Sequence, residues 1–252
     1  MPSPAEKRKI RQAFSRAAAS YDRVARVQRR ICDALLARLE PGASGIALDA
    51  GCGTGYALPA LAARGQQCIA LDHAIGMLSA QHSAGMCADI EQLPLRDACV
   101  AQYFSSLAWQ WIDAEAAIRE AARVLRPGGH LAVATLAPDS LAELRQAMRQ
   151  ADGREHVRSF AAAEPYAAML QAAGFSEIRI ERQVFQDHAD NLLSLLRDLK
   201  ALGAHTLDGA RSAGFLPRAA LQRAAAFYEQ YRVEAGLPLS YDVVFLSARR
   251  TS

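Results

Sequence analysis

LDAGCGTGY, residues 48–56, sets one acid and three glycines between an apolar run and a helix-forming one. Ile46 to Ala50 is short and apolar, as a buried parallel strand should be, and Ala57 to Arg64 has helical composition. Glycines at 51, 53 and 55 let the backbone approach a ligand with no Cβ in the way and permit positive φ. The stretch therefore reads as a nucleotide-cofactor loop at a strand-to-helix turn. Its G-x-G-x-G spacing is not the G-x-G-x-x-G of the dinucleotide fingerprint. Asp49 would also face a phosphate unfavourably, whereas it suits the ammonium group of an amino-acid-bearing cofactor such as S-adenosylmethionine.

Two further acids follow at the ends of strand-like runs. Gln67 to Leu71 leads into Asp72, placed to accept both hydroxyls of a ribose, and Ala84 to Ala88 leads into Asp89, where adenine contacts are expected. Each acid alone reads as a turn or cap residue. Three at successive strand ends beside a glycine loop read as one constellation.

These residues resemble the class I S-adenosylmethionine-dependent methyltransferases. The resemblance is carried by LDAGCGTG at 48–55, LDHAIGML at 71–78, ADIEQLPL at 88–95, YFSSLAWQW at 103–111 and RVLRPGGHLAVATL at 123–136. It implies S-adenosylmethionine as cofactor. Asp49, Gly51, Gly53 and Gly55 would then hold the methionine portion, Asp72 with Met77 the ribose, and Asp89 with Ile90 the adenine, with Ser105 of the fourth-strand loop nearby. It also implies a doubly wound Rossmann-like α/β sheet with an N-terminal helical lid and a helical insertion before the last strand. Where many members carry Asp-Leu-Val-Phe, this chain has Ala101-Gln102-Tyr103-Phe104.

Alternation of strands and helices through His130 to Leu136 supports a parallel sheet with right-handed crossovers. Residues 5 to 39 read as two helices joined near Ala19 to Tyr21. Pro127-Gly128-Gly129 is expected to end the helix Ala114 to Leu125. Helices near Ser140 to Ala151 and Pro165 to Ala173 precede a sixth strand, Ile178 to Phe185, and 240–247 reads as the last. Between them, leucines 192, 193, 195, 196, 199 and 202 repeat on a helical face ending at Gly203, and a second helix, Pro217 to Val233, is expected beside the first. The expected division is a lid at 1–40, a cofactor-binding core at 41–187, a helical cap at 188–236 and the last strand at 237–252.

The 252 residues suit one such domain. No apolar run approaches the roughly 18 residues of a membrane span, and the N-terminus lacks a signal-peptide core, so a soluble, cytoplasmic protein is expected. Five cysteines, at 32, 52, 68, 87 and 99, form no C-x-x-C and read as reduced core residues. No His/Cys cluster supports a metal. Residues 1 to 38 hold ten Lys or Arg against three acids, although the whole chain carries only +3. That asymmetry reads either as a solvated helix face or as a docking surface for an acidic protein; nucleic acid ranks lower for want of aromatic interleaving.

A wider set of stretches resembles the malonyl-acyl-carrier-protein O-methyltransferase family of biotin synthesis. It comprises FSRAAASYDRVARVQRRICDALL at 14–36, SSLAWQW at 105–111, EHVRSF at 155–160, DLKALGA at 198–204 and GLPLSYDVVF at 236–245. The resemblance implies esterification of the free carboxylate of a malonyl thioester on an acidic acyl carrier protein. Such a carboxylate is ionised at neutral pH and needs no general base. It must be held about 3–3.5 Å from the methyl carbon with water excluded. Tyr21, Gln110 and Trp111 are the candidates for that task. Gln28 and His156 are candidates for substrate contact, and Arg158 or Lys200 for the cation that captures the carboxylate. Quinone C-methylation, free-acid O-methylation and non-catalytic cofactor binding stay open as alternatives.

Overall fold

A computed structural model describes residues 3–40, 44–81, 84–204 and 217–251. Seven strands form one sheet in the order β3-β2-β1-β4-β5-β7-β6. They are β1 Gly45–Ala50, β2 Gln66–Asp72, β3 Gly85–Cys87, β4 Val100–Ser106, β5 Leu125–Leu136, β6 Phe175–Ala189 and β7 Leu237–Arg250. The first five pair in parallel, and β7 lies antiparallel between β5 and β6. β1 sits where the order reverses, with β2 on one side and β4 on the other. In open α/β sheets that switch point, at the strands' carboxyl ends, is where ligands bind.

Two apolar layers cover the sheet. One is built from α2 Arg26–Ala37, α6 Ala142–Asp152, α8 Leu192–Ala201 and α9 Arg218–Tyr228. The other rests on α5 Ala114–Val124 and α7 Glu164–Ala172. The short helices α3 Leu58–Ala63 and α4 Ile75–Ser79 follow β1 and β2.

The lid is α1, Pro4–Val24, opened by a Ser3/Glu6 capping box. It runs unbroken through the junction expected at Ala19 to Tyr21, because Ser20 bonds back to the Ala17 carbonyl and across to that of Ala201 on α8, both at 3.0 Å. The break falls instead at Ala25, whose ψ of 40° leaves the helical region. α1 lies close against α4: a Cβ on Gly76 would stand 2.4 Å from the Ser15 carbonyl oxygen. The Pro127-Gly128-Gly129 turn also differs from expectation, since it lies inside β5. Leu125 is already extended and pairs with Val100, and a register shift between Val100 and Gln102 accommodates the turn. Finally, α9 packs on α6 rather than beside α8, and α8 packs on α1. No helix among the described residues is long and apolar enough to cross a membrane.

Candidate active site

Three adjoining cavities lie above the carboxyl ends of β1, β2, β4 and β5, and all three are lined by Tyr21 and Leu107. The largest, about 770 Å³, is walled by Gly51, Gly53, Asp72, Met77, Asp89 and Ile90 below and by Lys7, Phe14 and Tyr21 of α1 above. A second, about 490 Å³, contains Asp49, Gly51, Gly53, Tyr21 and Gln28. The third, about 460 Å³, is closed by Phe14, Tyr21, Gln28, Gln110, Trp111 and Tyr241 among leucines of α8 and the sheet edge.

The loop after β1 owes its path to local bonding. The N–H groups of Gly51 and Cys52 donate to the Leu71 carbonyl at 2.8 and 2.9 Å, binding the loop to the end of β2. Asp72 then accepts from Gly53 N–H at 2.9 Å through Oδ2 and from Ala74 N–H at 2.7 Å through Oδ1. Burial raises the Asp72 pKa while those two donors hold it back. Gly53 has φ +55°, and a Cβ built on it would meet no protein atom within 4 Å. The loop therefore leaves a cradle beside its backbone, as a ligand in van der Waals reach would require.

Asp49 is 3% exposed. Among the described residues it forms no ion pair, and burial, then the charge of Asp72, push its pKa up to about 8. A buried carboxyl without a cation is costly. An ammonium group placed beside it would supply the missing charge, so the residues present fit an amino-acid-bearing, positively charged cofactor.

The lid is tied down at both ends of this cleft. Lys7 Nζ pairs with Asp89 at 3.1 Å and with Glu91 at 2.6 Å. Burial pulls the Lys7 ammonium down, yet the bonds to Glu91 and Asp89 outweigh it and its pKa is raised. At the far end Thr54 Oγ1 donates to Asp22 at 2.8 Å.

Not every expected residue reaches the cavities. Gly55 lines none of the three; a Cβ there would press on Leu58 and Gln81, so the lack of one serves the helix packing. Ser105 is fully buried and donates to the Ala50 carbonyl at 2.6 Å, which joins β4 to β1, and its neighbour Ser106 faces the cofactor cavities instead. His156 is turned onto Asp152, Nε2 to Oδ1 at 2.7 Å. Lys200 is exposed on the last turn of α8. Arg158 stacks on Trp111, its Cζ 5.5 Å from the ring centroid, and is not among the residues lining the third cavity. Among the described residues, that wall therefore lacks the expected carboxylate-capturing cation. Trp109 also lies in the core, fully covered beside Tyr103, whereas Trp111 meets Phe14 of the lid edge-on with centroids 5.5 Å apart.

Residues that the sequence alone does not single out complete the site. Leu107, at φ +56°, is held by a 2.8 Å bond from its N–H to the Ala134 carbonyl, and its own carbonyl accepts from Gln110 Nε2 at 2.7 Å. A non-glycine residue in that region marks a strained position, and here it stands where the three cavities meet. Tyr241 and Gln28 line the third cavity together, and among the described residues Gln28 Oε1 is buried without a hydrogen-bond partner. Tyr241 lies within the SYDVVF stretch, whose pattern signals only a strand. Burial, followed by the Asp72 and Asp22 charges, raises the Tyr21 pKa; burial and Asp187 do the same at Tyr241. Both phenols are thus hydrogen-bond donors at neutral pH.

A family model described as a methyltransferase domain matches residues 48–133. Over nearly the whole chain there is similarity to the malonyl-(acyl-carrier protein) O-methyltransferase of Dechloromonas aromatica, 42% identical over 97% of this chain and 95% of that protein. The protein of the same name from Laribacter hongkongensis is 40% identical over 97% of this chain and 90% of its own length. Among solved structures, the YcgJ protein of Bacillus subtilis superposes with a TM-score of 0.62 at 16% identity, covering 88% of this chain and 99% of its own. That last likeness shows the fold.

Proposed function

We infer the function from one premise: the chain belongs to the malonyl-(acyl-carrier protein) O-methyltransferase family. It transfers a methyl group from S-adenosylmethionine to the free carboxylate of a malonyl thioester carried on acyl carrier protein, an early step of biotin synthesis. The single observation that carries this reading is the wall of the third cavity. Among the described residues it holds neutral hydrogen-bonding groups and apolar side chains but no His, Lys, Arg, Asp or Glu. A carboxylate acceptor needs no base, whereas carbon methylation would need one there.

The cofactor supplies an electrophilic methyl group on a sulfonium centre. Asp49 would hold its ammonium, Asp72 the ribose, and Asp89 with Ile90 the adenine, while Met77 and Trp111 complete the walls. Tyr21, common to all three cavities, and Gln110 hold the acceptor carboxylate by donating hydrogen bonds. Leu107 sets the height of the partition between donor and acceptor, and Phe14 and Trp111 exclude water.

The acidic carrier docks on the lid. Arg26 and Arg29 pair internally with Asp187 and Asp22, and Arg30 donates to the Gln186 carbonyl. Arg8, Lys9, Arg16 and Arg23 are exposed on α1 and, among the described residues, form no ion pair. They supply the free positive face that steers an acidic partner.

The decisive experiment is transfer from labelled S-adenosylmethionine to malonyl-acyl-carrier-protein, with the acetyl form alongside and mass spectrometry of both. A gain of one methyl on the malonyl carrier alone is expected. Transfer to neither, with cofactor binding intact, would withdraw the acceptor.

A further inference from the structure

A fourth, smaller and open cavity lies behind the acceptor chamber and shares three of its residues, Leu199, Leu202 and Tyr241. Val24, Ala189, Leu195 and Leu239 add apolar wall, and Asp187, His188 and Asp198 add polar groups. At its rim stands Arg26, whose side chain is 56% exposed and reaches Asp187 of β6 at 3.4 Å and Asp198 of α8 at 3.7 Å. The cofactor reading fills the first two cavities, so an acceptor must enter the third by another route.

We propose that this chamber is the site of the carrier's phosphopantetheine arm, with Arg26 receiving the arm's phosphate. The proposal rests on the malonyl-thioester reading above. A pantetheine arm alternates methylene and gem-dimethyl groups with amides and a hydroxyl, which matches leucine and valine walls interrupted by two carboxylates and a histidine. The Arg26 contacts are long for charge-assisted bonds, and its exposed guanidinium can turn from the two carboxylates toward a phosphate held outside the rim. Arg23, exposed beside Val24, continues the free basic face of α1 to the same rim. The arm would then pass from the docking face, between Val24 and α8, to Tyr241 at the entrance of the acceptor chamber.

The test compares three malonyl thioesters: on acyl carrier protein, on coenzyme A, and on N-acetylcysteamine, which lacks most of the arm and its phosphate. Two variants are used, Val24→Trp to fill the chamber and Arg26→Ala at its exposed rim, with cofactor affinity measured by calorimetry for each. Relative to the wild type, the ratio of kcat/KM for the carrier substrate to that for the small thioester is expected to fall at least about tenfold in either variant. Coenzyme A is expected to follow the carrier. Unchanged ratios in Arg26→Ala, which does not disturb the core, would overturn the arm site while leaving the activity in place. Wild-type protein that methylates none of the three would overturn the activity itself, and with it this proposal.

Discussion

Asp49→Asn isolates the electrostatic logic of the donor pocket. With a pKa of about 8 in the free protein, Asp49 is about 90% protonated at pH 7. An ammonium beside it requires the carboxylate, so binding at pH 7 expels about 0.9 of a proton. Affinity then weakens about tenfold, or about 1.4 kcal/mol, for each pH unit below 8. Stability of the free protein runs the other way. The folded pKa is raised above the ordinary 3.8, so this group's contribution is complete below about pH 4 and is lost as pH rises through about 8. Calorimetric titration with S-adenosylhomocysteine at pH 6, 7 and 8, in two buffers of different ionisation enthalpy, reads both affinity and proton release. The wild type should show the tenfold slope and a buffer-dependent heat. The Asp49→Asn variant should lose both, and its free form should have a higher thermal midpoint at pH 8. A flat wild-type affinity between pH 6 and 8, or the same slope in the variant, would refute the assignment of Asp49 to the ammonium.

Two further outcomes follow from other parts of the site. Gly53→Ala should cost the fold only about 1–2 kcal/mol, the penalty of a left-handed backbone, because its Cβ meets no protein atom; cofactor affinity should fall at least about tenfold, and thermal melts beside calorimetry separate the two effects. Reversing Arg8, Arg16 and Arg23 together to Glu should raise KM for the malonyl carrier at least about tenfold at low salt, with malonyl-coenzyme A much less affected, and the difference from wild type should shrink as salt screens the encounter; steady-state kinetics across ionic strength decides it.

The donor and acceptor halves of the site differ in how far the sequence discloses them, and the reason is topological. Asp49, Gly51, Gly53, Asp72, Asp89 and Ile90 belong to three consecutive parallel strands and the turns that leave them, so their common placement follows from local order along one stretch of chain. The acceptor chamber draws Tyr21 from α1, Gln110 from the turn after β4, Leu199 from α8 and Tyr241 from β7. Those four meet only because β7 inserts antiparallel between β5 and β6, carrying Tyr241 back to the carboxyl ends of the parallel strands. No local pattern encodes that return. The surroundings of Arg158 and His156 escape the sequence for the same reason: a 2.7 Å bond to Asp152 holds the histidine at the end of α6, and the arginine stacks its guanidinium on the Trp111 face. The proposed reading instead gives the carboxylate to Gln110 and to Tyr21, whose burial keeps its hydroxyl protonated. Under the proposed reading, neutral donors of that kind would orient the anion while leaving its attacking lone pairs open.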